Sequence, residues 1–197
     1  MINPAEITDF KRTDAELEEF LLFCIAVAGK TAVVQAQKVD LFIYNLGLEL
    51  WLASNEPLAK IREATPFQLL RATPETVVLE TMKKVKIGQY TRLIHAFDLV
   101  TDLNLRTCTV EQLESIKGIG PKTARFFLVH SRPDQQYAIL DVHILRYLNK
   151  EGIKAPKATP PAGKVYTALE KEFLLLAAKS GMTVADFDLS LWNAKGK

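Results

Sequence analysis

The chain has 197 residues, 25 Lys+Arg against 23 Asp+Glu for a formal charge of +2, and 48% apolar residues. At roughly 100 to 200 residues per domain, that length suits one domain or two small lobes, and the composition excludes disordered, collagenous and low-complexity chains. With 2 Cys, Cys24 and Cys108, the chain holds no disulfide framework, no four-cysteine iron–sulfur cluster and no zinc knuckle, so both thiols are expected reduced and buried. The opening residues are polar and acidic, and no apolar run reaches the roughly 18 residues of a membrane span. A cytoplasmic protein with no membrane partner is the expectation.

Nearly every segment carries helical rather than alternating periodicity. Thr13 followed by Asp14, Glu16 and Glu18 reads as a capped helix start, with Leu17, Phe20, Leu21, Cys24 and Ile25 at helical spacing and an end near Gly29. Residues 31–51 hold a second helix with a possible break at Gly47. Prolines 57, 66 and 74 stand where a first helical turn tolerates them, so short helices joined by tight turns follow. Further helices are predicted over 90–100, 109–116, 121–130, 141–149, 162–178 and 183–192, about ten in all and no strand. Residues 154–163, with three prolines and a glycine, read as a linker returning the chain to a neighbouring lobe. Ala-Thr-Pro recurs at 64, 72 and 158 with unrelated flanks, which predicts three similar helix caps rather than a repeat.

The informative stretch runs from Leu113 to Leu148. It holds Lys117-Gly118-Ile119-Gly120 between two helices, the second opened by Pro121 and carrying Lys122 and Thr123. Two glycines one residue apart permit a tight helical hairpin, and they bare backbone N–H groups at a helix N-terminus, an anion site. Ile119 is expected to point inward. A glycine turn that merely packs two helices competes with this reading, but Lys117, Lys122 and Arg125 favour phosphate. Nineteen residues after Lys122, Asp141 stands at the mouth of the next helix, where an acid is either a plain N-cap or a partner for the lysine.

GIGPK followed by LDVHILRYL resembles the helix-hairpin-helix (HhH-GPD) DNA glycosylases of the endonuclease III superfamily, and KGIGPKTARFFL with AILDVHIL is most similar to the small, clusterless 8-oxoguanine glycosylase and lyase branch best known from archaea. The resemblance implies an all-α, two-lobed fold with a DNA-binding cleft between the lobes, one lobe spanning 31–136 and the other 1–30 plus 137–197. It implies a monomeric, DNA-associated enzyme of a prokaryotic or viral cytoplasm that acts on double-stranded DNA containing a damaged base.

By the same resemblance Lys122 is the nucleophile that attacks C1′ of a flipped nucleotide, expels the base as a glycosylase and then acts as an AP lyase through a Schiff base. That chemistry needs a neutral amine, which burial or a nearby cation such as Lys117 favours. Asp141 stabilises oxocarbenium character and shuttles the lysine proton. Gly118, Ile119 and Gly120 hold a DNA phosphate, with Lys117 and Thr123 beside them and a monovalent cation as the one candidate cofactor. Within Ile87-Gly88-Gln89-Tyr90, Gln89 is the first candidate and Tyr90 the second for the side chain that fills the vacated stack, against a solvated helix start. Trp192 and terminal Lys197 match the residues that shape the base pocket, although Trp192 at helical spacing from Asp188 and Leu189 equally suits core packing. The gap-filling glutamine of many relatives is missing, and residues 28–31 stand in its place. His95 and His143 lack metal-ligand spacing and are expected in the core or behind the site. The small net charge hides polarity: residues 1–25 hold six acids and two bases, 82–92 hold four bases and no acid, and 117–154 hold seven bases and three acids.

Overall fold

The computed structural model describes residues 1–54 and 56–194. Among them every regular element is helical: a 3-10 turn at Pro4–Glu6 and eleven helices, α1 (Asp14–Ala26), α2 (Ala32–Ala53), α3 (Leu58–Glu63), α4 (Pro66–Ala72), α5 (Glu75–Lys84), α6 (Tyr90–Val100), α7 (Val110–Glu114), α8 (Pro121–Ser131), α9 (Val142–Lys150), α10 (Lys164–Ser180) and α11 (Val184–Asn193). The fold is all-α, as the periodicity implies. Helix starts follow one grammar, in which Thr13, Thr65 and Thr109 each form a capping box with Glu16, Gln68 and Gln112.

The chain divides into two compact units. The first comprises Met1–Ile7 and Arg12–Ile119, the second Thr8–Lys11 and the chain from Gly120 onward. In the first unit α2 packs on α1, α4 and α5, and the α1–α4–α6 contacts close a core that buries Phe20, Phe23, Phe42, Met82 and Phe97. The second unit buries Ile139, Leu140, Leu145, Leu148, Tyr166, Phe173 and Phe187, with the Phe173 and Phe187 rings 5.3 Å apart.

Several expectations are corrected. Helix α2 runs unbroken through Gly47, where a Cβ would make ordinary van der Waals contact with Ile61 Cγ2 at 3.6 Å and Leu69 Cδ1 at 3.8 Å, so neither a break nor crowding accounts for that glycine. Of the three Ala-Thr-Pro sites only Thr65 caps a helix; Thr73 ends α4, and Thr159 lies in a loop and donates to Leu140 O at 2.7 Å. The proline-rich loop joins α9 to α10 inside the second unit and does not cross to the other. Helix α1 packs on α2, α4 and α6 and groups with the first unit, and the change of unit falls at Gly120. Residues 8–11 group with the second unit because Asp9 N donates to His130 O at 3.2 Å and Thr8 Oγ1 lies 2.7 Å from His130 Nδ1.

Candidate active site

Lys122 is the second residue of α8, directly after Gly120 as N-cap and Pro121 at the first helical position. Lacking an N–H, Pro121 sacrifices no bond there, and its fixed φ starts the helix. The Lys122 ammonium lies 5.5 Å from the centre of the Phe126 ring, one turn along α8. Phe126 in turn meets His130 edge to face, with centroids 5.2 Å apart, and His130 Nε2 reaches Asp188 Oδ2 on α11 at 3.3 Å. Residues 122, 126 and 130 recur every fourth position, so they line one face of α8.

Asp141 is the N-cap of α9, and its Oδ1 accepts from His143 N at 2.8 Å and Ile144 N at 2.9 Å. The segment leading to it is held from α10: Tyr166 Oη donates to Ala138 O at 2.8 Å and accepts from Leu140 N at 3.3 Å, while Glu170 Oε2 accepts from Ala138 N at 2.8 Å. Glu170 is fixed by Arg125 Nε at 2.8 Å, and the Arg125 guanidinium covers the Tyr166 ring at 4.4 Å. A buried ion pair and a buried tyrosine therefore orient the acid, a supporting layer of the kind precise chemistry requires.

Asp188 ties these groups together. Burial pushes its carboxyl above the ordinary range; the His130 hydrogen bond and the charge of Lys122 oppose the shift, and the Asp141 carboxylate adds to it. Lys122, Asp141, Asp188 and His130 thus share one electrostatic neighbourhood within the second unit. Sequence reasoning missed Phe126, His130 and the role of Asp188. The four-residue spacing from Lys122 was a signal for the first two, whereas Asp188 becomes visible only once α8 and α11 pack.

The candidate DNA-contacting residues lie in both units. Lys117 is exposed and Ile119 is buried at 4% exposure, turned inward as expected. Gly118 adopts φ +106° and seats against Arg92 and Ala96 of α6, whereas Gly120 has φ −94°, so only the first glycine needs the left-handed region. Thr123 is buried at 6% exposure rather than facing outward. The turn carbonyls of Ile116 and Gly118 accept from Ile119 N and Arg92 Nη1. Gln89 is exposed, with φ +53°, and Tyr90 is half-buried at the start of α6. The 28–31 turn adjoins this loop, since Gln89 Nε2 donates to Ala28 O at 3.0 Å. Trp192 is 37% exposed on α11, too open for simple core packing, and Lys197 lies outside the described residues. His143 is half-buried beside Asp141, but His95 is exposed, contrary to expectation. Both cysteines are buried and neither forms a disulfide. Among the described residues no group of three or more His, Cys, Asp or Glu side chains is placed to hold a metal, and no helix is long and apolar enough to cross a membrane.

An all-helical fold with a lysine two residues past the second glycine of a helical hairpin, and an aspartate capping the next helix, is what the helix-hairpin-helix DNA glycosylase class presents. Residues 4–182 match the family described as Ogg-HhH, 8-oxoguanine DNA glycosylase. The chain belongs to that family and is an enzyme of the DNA glycosylase class. Two solved structures share its fold, both of the 8-oxoguanine DNA glycosylase of Methanocaldococcus jannaschii, one of them in complex with a 15mer DNA containing 8-oxoguanine. Each is 21% identical with a TM-score of 0.67, and the match covers 98% of this chain and 84% or 87% of the other.

Proposed function

We propose that the protein excises 8-oxoguanine from duplex DNA and then cleaves the strand at the emptied site. Lys122 in its neutral form attacks C1′ of the flipped nucleotide; the N–C1′ bond forms as the bond to N9 breaks, and the base leaves with that electron pair and gains a proton. Loss of the lysine proton and opening of the sugar give a Schiff base. Removal of a C2′ proton then expels the 3′ phosphate by β-elimination. Asp141 faces the cationic sugar and moves the lysine proton. The backbone amides of Gly118 and Gly120, with Lys117 alongside, grip a phosphate and set the duplex without reading its sequence, while the Ile119 amide closes the turn on Ile116 O. Trp192 offers an exposed aromatic face to the extruded base.

The observation that carries this reading is the placement of Lys122 at the mouth of α8 and Asp141 at the mouth of α9, both acting on the same buried Asp188 carboxyl. Borohydride reduction of the Schiff base during reaction with a duplex holding a single 8-oxoguanine tests it. The parent yields a covalent protein–DNA adduct and Lys122→Gln yields none; trapping of the variant at the parental rate overturns the nucleophile assignment. A panel of duplexes with other oxidised or alkylated bases checks the lesion. Equal binding to intact and damaged DNA with no product favours a non-catalytic binder instead.

A further inference from the structure

Arg92, in the first turn of α6, spends its guanidinium on three segments of the first unit. Nε donates to Gln89 Oε1 at 2.7 Å, Nη1 to Gly118 O at 2.8 Å and Nη2 to Ile25 O at 2.8 Å. The acceptors belong to the loop before α6, the hairpin turn and the last turn of α1. All three are neutral, and among the described residues Arg92 has no ion pair with a carboxylate. Burial pushes its pKa down, so the cation is kept half-buried against solvation and held by dipoles alone. A planar guanidinium can reach three divergent oxygens at once, which a lysine ammonium on a flexible stem cannot.

The loop it holds is strained. Lys86, Gly88 and Gln89 take φ of +55°, +79° and +53°, and two of these residues carry side chains. Such conformations cost about 1–3 kcal/mol each and persist only where the surroundings over-determine them. Here Gln35 Nε2 donates to Ile87 O at 3.1 Å, Lys38 Nζ to Lys86 O at 2.6 Å, and the Gln89 amide is engaged at both ends, by Ala28 O and by Arg92 Nε. Each of the first two bonds fixes the loop from α2, whereas the Arg92 bond alone links Gln89 to the turn that receives the phosphate.

We infer that Arg92 is a positioning residue that fixes the stack-filling Gln89 at a set height above the hairpin turn, so that the phosphate grip and the wedge enter the duplex in register. This rests on the reading of Gln89 as the wedge. With Arg92 removed, the left-handed conformation at Gln89 loses its side-chain support, and the amide leaves the position from which it enters the stack.

The full chain tests this with Arg92→Met, Arg92→Lys and Gln89→Ala on two substrates. The first is a duplex with a tetrahydrofuran abasic analogue beside 2-aminopurine, whose fluorescence rises when the stack is opened; the second is single-stranded DNA with a true abasic site, trapped by borohydride, where no stack needs filling. Loss of one charge-assisted bond predicts that the ratio of the duplex rate to the single-strand rate falls about tenfold in Arg92→Met. Arg92→Lys falls between, and it serves if the methionine variant folds poorly, which its thermal melt reports. Equal losses on both substrates, or none on either, overturn the inference. If Gln89→Ala also leaves the fluorescence rise unchanged, the wedge reading fails with it; if Gln89→Ala slows the rise and neither Arg92 variant does, the role of Arg92 alone fails.

Discussion

Gly118→Ala separates the conformational need of the hairpin from its DNA contact. A Cβ at 118 stands 3.1 Å from Arg92 Cγ and 3.2 Å from both Ala96 Cβ and Arg92 O, on a residue with φ +106°. The arginine stem can shift by a few tenths of an ångström, but the backbone oxygen and the Ala96 methyl lie on α6 and cannot. Strain at that φ costs about 1–3 kcal/mol and the crowding a similar amount, while the stiffer unfolded chain returns about 0.4–1 kcal/mol. The net loss is about 2–4 kcal/mol, or very roughly 5–15 °C in melting temperature for a chain of this length. Gly120→Ala is the internal control, because φ there is −94° and a Cβ meets nothing within 4 Å. Its stability stays within about 0.5 kcal/mol of the parent, yet it weakens DNA binding where a phosphate approaches the bare amide. Urea unfolding followed by circular dichroism reads the first effect and fluorescence anisotropy with a labelled duplex the second. Equal stability of the two variants refutes the reasoning, since it means that neither φ nor the contact with α6 constrains the turn.

Asp141→Asn and Asp141→Ala divide capping from chemistry. Asparagine keeps an acceptor for His143 N and Ile144 N, so Asp141→Asn melts close to the parent but loses base excision, whereas Asp141→Ala also gives up about 1 kcal/mol of helix stability; an asparagine variant that excises at the parental rate makes Asp141 a cap only. Asp188→Asn reports the buried carboxyl through the pH dependence of stability. Burial raises the Asp188 pKa from the ordinary 3.8, so the folded state holds its proton more tightly than the unfolded chain. That stabilisation is complete below the unfolded value and is lost as pH rises through the folded one, so the non-ionising variant gains on the parent in thermal melts as pH rises above the ordinary 3.8. A difference that does not change with pH shows that Asp188 has no raised pKa.

Helix positions were legible because caps and periodicity are local. Thr13, Thr65 and Thr109 each announce a start, and the predicted helix over 90–100 matches α6. Lys122 and Asp141 were legible for a different reason: the hairpin and the acid lie close together in the chain. What escaped is what depends on packing between distant segments. Nothing in the pattern around His130 announces Thr8, 122 residues earlier, or Asp188, 58 residues later, yet those residues hold its ring on both sides. Likewise nothing local to α1 announces its contacts with α2, α4 and α6, which group it with the first unit. Thr123 shows the converse error, since a polar residue beside a glycine turn invites a solvent-facing role, but the α8 face that it occupies is buried.

The two helix mouths divide the chemistry between them. An α-helix carries a partial positive charge at its N-terminus, which favours an anion there and disfavours a cation. Asp141 at the start of α9 gains from this field twice, through the dipole and through the two amides that its Oδ1 accepts. Lys122 at the start of α8 is set against it, with the Phe126 ring centre 5.5 Å from its ammonium. In the proposed Schiff-base chemistry that asymmetry sets an acid at one helix mouth and an amine at the other. Both follow from placing one residue at position 122 and the other at 141 of a chain that starts a helix at each. Moving the lysine one turn further into α8, to the site of Phe126, would keep the charge and lose the field, which is why the lysine two residues after the second glycine, rather than any other lysine of the hairpin, is the nucleophile in this reading.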